Sequence, residues 1–155
     1  MSTSRYGRQA KGKRPVSDES GDLAEEMIER ANGIVPERRL VPDDAKLLRS
    51  TVSKALGKAD LDVIVLTGGT GVSTTDVTIE TVRPLFEKEI EGFGEIFRFL
   101  SYQKIGPAAA LSRATAGVAK GKLVVCLPGS PDGVRTALEM FLGEVPHVLH
   151  LARGR

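Results

Sequence analysis

Two near-continuous apolar runs constrain this chain more than anything else in it. LDVIVL at residues 61–66 and KLVVCL at residues 122–127 lack the polar alternation of a half-exposed strand, and each leads directly into a glycine-rich loop. Runs of this kind belong in a parallel sheet buried on both faces, because a strand with one wet face shows polar residues at every second position. Parallel neighbours need crossover connections, and the segments around the two runs carry helical periodicity. The expectation is an α/β domain with an open, mainly parallel sheet covered by helices on both sides.

Ser20 is placed to cap a helix over residues 21–31, with Leu23, Met27 and Ile28 on one face and Asn32 and Gly33 as its stop. Residues 34–40 read as a short strand, held to an edge or a strand start because Pro36 has no N–H to donate. A second helix is expected over residues 44–56, where Leu48, Val52, Ala55 and Leu56 recur at helical spacing before Gly57. Thr78 reads as the cap of a third, with Ile79, Val82, Leu85 and Phe86 on its apolar face, and Pro84 should kink or break it. Gly92 and Gly94 should separate that helix from a short segment carrying Ile96, Phe97 and Leu100. An alanine-rich helix is expected over residues 107–119, closed by Gly121. Helices over residues 132–142 and 146–152 complete the chain, with no internal repeat, linker or second domain.

At 155 residues the chain is large enough for a single buried core. Its 41% hydrophobic and 27% charged residues are a soluble globular composition. No apolar run approaches the ~20 residues of a membrane helix, and no apolar stretch follows the basic N-terminus, so neither a span nor a secretory leader is expected. The single cysteine, Cys126, lies inside the second apolar run; a buried, unreactive thiol in the reducing cytoplasm is the expectation. Residues 1–14 hold Arg5, Arg8, Lys11, Lys13 and Arg14 and no acid. Removing these five from the 22 basic residues leaves 17 against 20 acidic ones, so the rest of the chain carries −3 although the whole carries +2. A one-sign stretch without apolar periodicity reads as a disordered arm over residues 1–15, leaving residues 16–155 as the domain. Such an arm could touch nucleic acid. Against that stand an aromatic content of 5% and the absence of tryptophan, which leave no basic–aromatic platform.

In an open α/β sheet, ligands bind beyond the C-terminal ends of the strands. The loops Gly68, Gly69, Thr70, Gly71 and Gly129, Ser130 both leave strands at that edge and lead towards helices, so backbone N–H groups can converge on anionic oxygens. Known phosphate motifs do not fit: Val72 stands where a Walker A loop needs lysine, and Thr74 where the dinucleotide pattern begun at Gly69 needs its third glycine. A nucleophile elbow is also missing, because Ser130 directly follows Gly129. His147 and His150 sit one helical turn apart with no cysteine or acidic cluster near them, and read as surface or packing residues. Asp43, Asp44 and Asp76 are different. Each has an ordinary role available in a cap or turn, yet a carboxylate beside an anion-binding loop repels phosphate. A divalent cation removes that conflict by bridging carboxylate and phosphate oxygens.

At this point the residues carry a family likeness. The run Gly68, Gly69, Thr70, Gly71 followed by Asp76, Val77 and Thr78 after an apolar strand resembles the signature of molybdopterin-binding proteins of the MoaB/MogA type. The likeness continues through Val41, Pro42, Asp43 and Asp44, through Asp18 to Gly21, GFGEIFRFLSYQKIG at 92–106, Leu111, Ser112 and Arg113, and Leu127 to Pro131. It covers residues 16–152, and the 92–106 stretch leans to the MoaB branch. The resemblance implies a three-layer α-β-α sandwich, assembled as a trimer or hexamer, with the molybdenum insertase as a possible partner and no membrane. It implies Mg²⁺-dependent transfer of AMP from ATP to the molybdopterin phosphate, releasing pyrophosphate, in molybdenum or tungsten cofactor synthesis. Asp43 and Asp76 match the family's catalytic carboxylates and are the expected Mg²⁺ ligands. Expected substrate-binding residues are Gly68, Gly69, Thr70, Gly71, Thr78, Ser101, Arg113, Gly129, Ser130, Ser20 and Gly21.

The chain departs from the family pattern twice. An apolar strand normally precedes the Ser-Asp motif, where this chain has GRQAKGKRPV, and many relatives place arginine where Thr75 stands. Two other readings therefore stand beside the enzyme: a MoaB-like oligomer that binds the pterin without adenylylating it, and a nucleic-acid-associated protein acting through the basic arm.

Overall fold

The computed structural model describes residues 17–154. The two apolar runs become β1 (Val63–Thr67) and β4 (Lys122–Leu127), adjacent and parallel, with Val63 opposite Leu123 and Thr67 opposite Leu127. Alternation of Cβ atoms sends Val65, Leu123, Val125 and Leu127 into one core and Ile64, Leu66, Val124 and Cys126 into another. Helices α1 (Glu19–Arg30), α4 (Glu91–Ile105) and α5 (Pro131–Phe141) close the first core, joined by Val148 and Leu149 of α6 (Val145–Ala152). The second lies under α2 (Ala45–Leu56) and α3 (Thr78–Val82). A sheet with a core on each face is the expected three-layer sandwich. Complete burial pushes the Cys126 thiol up to about 12, because a thiolate cannot be solvated there.

The pairing is more mixed than the apolar runs suggest. Among the described residues the strand order is β1-β4-β3-β2, with β3 (Thr115–Ala119) antiparallel to β4 and the two-residue β2 (Lys88–Glu89) antiparallel to β3. The mainly parallel expectation holds for β1 and β4, where the glycine loops depart, and not for the other two pairings.

The alanine-rich stretch 107–119 is the clearest correction. Instead of a helix, it forms a 3₁₀ segment (Gly106–Leu111) followed by β3. Lys120 and Gly121 both take positive φ, 51° and 69°, which makes a two-residue hairpin of type I′ and returns the chain into β4. Small residues suit this strand because a Cβ at Gly117 would lie 2.3 Å from the Phe86 ring. The segment around Phe97 is corrected too: Gly92 and Gly94 lie inside the 15-residue α4 rather than before it. A Cβ at Gly94 would fall 2.6 Å from the Ala114 carbonyl, so this glycine permits close helix–sheet contact.

Residues 33–39 form no strand, and Leu40 makes only an isolated bridge. An apolar cleft of about 680 Å³ runs beside this stretch and β1. Whether a strand precedes Ser17, and whether the arm is disordered, concern residues outside the described ones. Other expectations hold. Asn32 ends α1 with a left-handed φ of 62°, and α3 passes into a 3₁₀ turn, Arg83–Leu85, at Pro84.

A candidate anion-binding site at the sheet edge

Parallel pairing of β1 and β4 carries both glycine loops to the same end of the sheet. Gly68 N–H donates to the Leu127 carbonyl at 3.0 Å, and a Cβ on Gly129 would lie 3.2 Å from Gly68 Cα. The loops share a cleft of about 730 Å³ whose walls also include Asp18, Ser20, Asp76, Ser112 and Arg113.

The second loop is organised by its own helix. Ser130 is the N-cap of α5, accepting from Gly133 N–H at 3.1 Å, and Pro131 follows with its φ already suited to a first turn. The 11-residue helix thus directs its N-terminus to the cleft.

The first loop is held from outside. Gly68 and Gly69 have φ of 89° and 66°, values that exclude most side chains. Thr78 Oγ1 donates to the Gly68 carbonyl at 2.9 Å, and Thr78 N–H to the Gly69 carbonyl at 2.9 Å. Arg113 Nε donates to the Thr70 carbonyl at 2.8 Å, and Arg113 Nη2 to that of Gly71 at 2.7 Å. In the facing loop, Ser20 Oγ donates to the Gly129 carbonyl at 2.7 Å. All five carbonyls are therefore engaged. In a trans peptide the next N–H points the opposite way. Among the described residues, the amides of Gly69, Thr70, Gly71, Val72 and Ser130 donate to no protein acceptor. The site is a cradle of N–H groups beside a helix N-terminus, which is chemistry for anionic oxygens.

The carboxylates divide their roles. Asp44 caps α2, accepting from Leu47 N–H at 2.8 Å, which leaves Asp43 outside that task. Asp43 Oδ1 lies 3.3 Å from where a Cβ of Gly69 would stand. Asp76 is buried in the cleft wall beside Gly71, and its Oδ2 accepts from Ser73 N–H at 3.0 Å. One carboxylate thus stands against each end of the Gly69–Gly71 turn, but of the two only Asp76 lines the cleft.

Several expected residues take other roles or other places. Ser20 does not cap α1; Asp18 does, accepting from Gly21 N–H at 3.1 Å, which frees the Ser20 hydroxyl for Gly129. Gly21 is buried inside α1, where a Cβ would meet the Asp18 carboxylate at 2.2 Å. Thr78 is the first residue of α3 rather than its cap, and its hydroxyl is spent on Gly68. Ser101 is buried on α4 and is not part of the cleft lining. Asp18 and Ser112, absent from the expected set, do line it. In the sequence Asp18 stands out only as the first residue of the motif at 18–21, because the helix it caps starts at Glu19 and not at residue 21. Arg38 bonds its carboxylate at 2.8 Å and also reaches Asp22 and Glu25, and these three acids hold the Arg38 guanidinium more firmly charged. Among the described residues no three metal-ligating side chains cluster, and His147 and His150 join no such group.

Residues 2–149 match a family model described as "Probable molybdopterin binding domain". The chain belongs to the MoaB/MogA family of molybdenum cofactor biosynthesis proteins, as the loop motifs imply. It is 42% identical over 155 residues to a protein of Methanocaldococcus jannaschii named "Probable molybdopterin adenylyltransferase", covering 99% of this chain and 91% of that one. A "Molybdenum cofactor biosynthesis protein B" of Halalkalibacterium halodurans is 44% identical over 135 residues, covering 86% and 79%. Among solved structures, the "tungsten cofactor synthesizing protein MoaB from Pyrococcus furiosus" superposes with a TM-score of 0.86 at 40% identity, over 98% of this chain and 94% of that one.

Proposed function

We propose that this chain adenylylates molybdopterin in molybdenum or tungsten cofactor synthesis. The observation that carries the proposal is the cradle: five loop carbonyls turned to protein donors and five amides left for anionic oxygens, in a family whose relatives are named for this reaction. In the reaction, a molybdopterin phosphate oxygen forms a bond to the α-phosphorus of ATP, and the bond to the leaving pyrophosphate breaks. No side chain need form a covalent intermediate. The work is positioning and charge neutralisation. The Gly69–Val72 amides and the α5 N-terminus at Ser130 hold phosphate oxygens in line, and Ser112 completes the wall.

Mg²⁺ takes one or two carboxylates and fills its remaining positions with water and substrate phosphate, a set that Asp76 in the cleft wall, with Asp43 beside Gly69, would supply. Mg²⁺ bound there supplies neutralisation of the polyphosphate charge.

Self-association belongs to the same reading. Ile96, Phe99, Tyr102 and Ile105 of α4 are each more than half exposed and recur at helical spacing, an apolar stripe of the kind that marks an interface. A trimer or hexamer covers it. No helix among the described residues is long and apolar enough to cross a membrane. We place the chain in the cytoplasm, passing its product to the molybdenum insertase.

The deciding experiment mixes the purified chain with molybdopterin, ATP and Mg²⁺ and follows pyrophosphate. Release that needs all three supports the transferase. Pterin binding without release leaves the non-catalytic carrier, and a salt-sensitive gel shift lost on deleting residues 1–14 favours the nucleic-acid reading. A monomer by light scattering at micromolar concentration removes the oligomer.

A further inference from the structure

Arg113 invites reading as a phosphate ligand, since it is a cation in the wall of an anion site. Its bonds say otherwise. Nε donates to the Thr70 carbonyl at 2.8 Å and to that of Gly71 at 3.1 Å, Nη2 donates to Gly71 at 2.7 Å, and Nη1 pairs with the Glu80 carboxylate on α3. The guanidinium therefore grips two successive carbonyls of the first loop and is itself steadied by an acid outside the cleft. Pairing with Arg113 in turn holds the Glu80 carboxyl below its usual range.

This grip answers a problem peculiar to a glycine loop. With little side chain to set them, the peptide planes between Thr70, Gly71 and Val72 can rotate at small cost. A rotated plane puts a carbonyl oxygen where an N–H stood and turns attraction for phosphate into repulsion. Thr78 fixes the planes after Gly68 and Gly69, but it does not reach those after Thr70 and Gly71.

We propose that Arg113, steadied by Glu80, is a positioning residue that clamps the Thr70 and Gly71 carbonyls away from the cleft and so keeps the Gly71 and Val72 amides turned towards the anion. The inference rests on the anion-cradle reading above. A lysine cannot replace the clamp, because a point charge does not present the planar fork that meets two carbonyls and a carboxylate together.

The test compares the full chain with Arg113→Lys, Arg113→Gln, Glu80→Gln and the double variant Glu80→Gln/Arg113→Gln, using inorganic pyrophosphate as the binding probe in calorimetry. Crystal structures report the two carbonyls, and thermal melts report folding. Expected are a roughly tenfold or greater loss of affinity in both Arg113 variants and a two- to threefold loss in Glu80→Gln. The double variant should be no worse than Arg113→Gln, and at least one of the two carbonyls should turn in the Arg113 variants. Wild-type affinity in Arg113→Lys makes charge, not geometry, the contribution and overturns the clamp. So do unmoved carbonyls in Arg113→Gln, or a Glu80→Gln variant that binds as wild type. Equal losses of melting temperature with unchanged affinity reduce Arg113 to a structural role, and the clamp is overturned in that case too. The functional reading fails separately. If the wild type binds pyrophosphate without turning over ATP and molybdopterin, the transferase falls and the clamp stands. If the wild type does not bind pyrophosphate, the cradle falls, and carbonyl orientation alone decides the clamp.

Discussion

The two strand–loop junctions look alike in sequence and are built on different principles. After β4, residues 128–130 lead straight into α5, and Ser130 caps that helix with its own side chain. After β1, ten residues, 68–77, pass before α3, and their shape depends on Thr78, Asp76 and an arginine 42 residues from Gly71 in the chain. A loop that runs at once into a helix inherits its geometry from capping. A longer glycine loop must be held from elsewhere, and whatever holds it becomes part of the site.

The largest effect expected from this difference is at the carboxylates. Asp76→Asn should keep the turn, since asparagine can still accept from Ser73 N–H, while turnover falls by roughly two or more orders of magnitude and pterin binding changes little. Asp132→Asn at the exposed start of α5 should leave turnover nearly unchanged. Pyrophosphate release on both variants checks the pair. Equal losses would mean that the second junction also carries cation chemistry.

Next come the glycines. At Gly69 a Cβ would meet Thr78 Oγ1 at 2.4 Å with φ at 66°, so Gly69→Ala should cost about 1–3 kcal/mol and weaken anion binding. At Gly129 no positive φ is involved and the nearest atom is Gly68 Cα at 3.2 Å, so a shift of a few tenths of an ångström suffices and the loss should be smaller. Denaturant midpoints rank the two, and the reverse order breaks the comparison.

Ser130→Ala should cost about 1 kcal/mol through loss of the cap, with the first loop undisturbed. Melting curves and a crystal structure of the variant check both halves.

The smallest effect is pH-dependent. The Arg113 hydrogen bond lowers the Glu80 carboxyl below its unfolded value, so their pairing contributes stability that is complete above the ordinary carboxylate range and is lost as pH falls through the lowered value. Glu80 is 54% exposed, so solvent screens the pair and the loss is modest. Glu80→Gln should flatten that part of the acid slope in melting temperature; an unchanged slope would remove the pair's contribution.

What the sequence determined by itself was whatever depends on near neighbours or on the periodicity of one segment. The apolar runs declared β1 and β4, their alternation set two cores, and Asn32, Gly57 and Pro84 stopped their helices where turn chemistry requires. The two glycine loops and Asp76 were visible for the same reason. Tertiary structure decided the rest. Alanines at 114, 116 and 119 favour a helix on their own, but burial on both faces of a sheet and the Lys120–Gly121 hairpin outweigh that small propensity. Gly94 looks like a helix breaker until its contact with the Ala114 carbonyl shows what the missing Cβ is for. Thr78, Ser20 and Arg113 were singled out as binding residues, yet their hydrogen bonds go to loop carbonyls 10, 109 and 42–43 positions away in the chain. No local pattern reports which carbonyl a distant side chain will find, because that is fixed only when the packed sheet brings the two together.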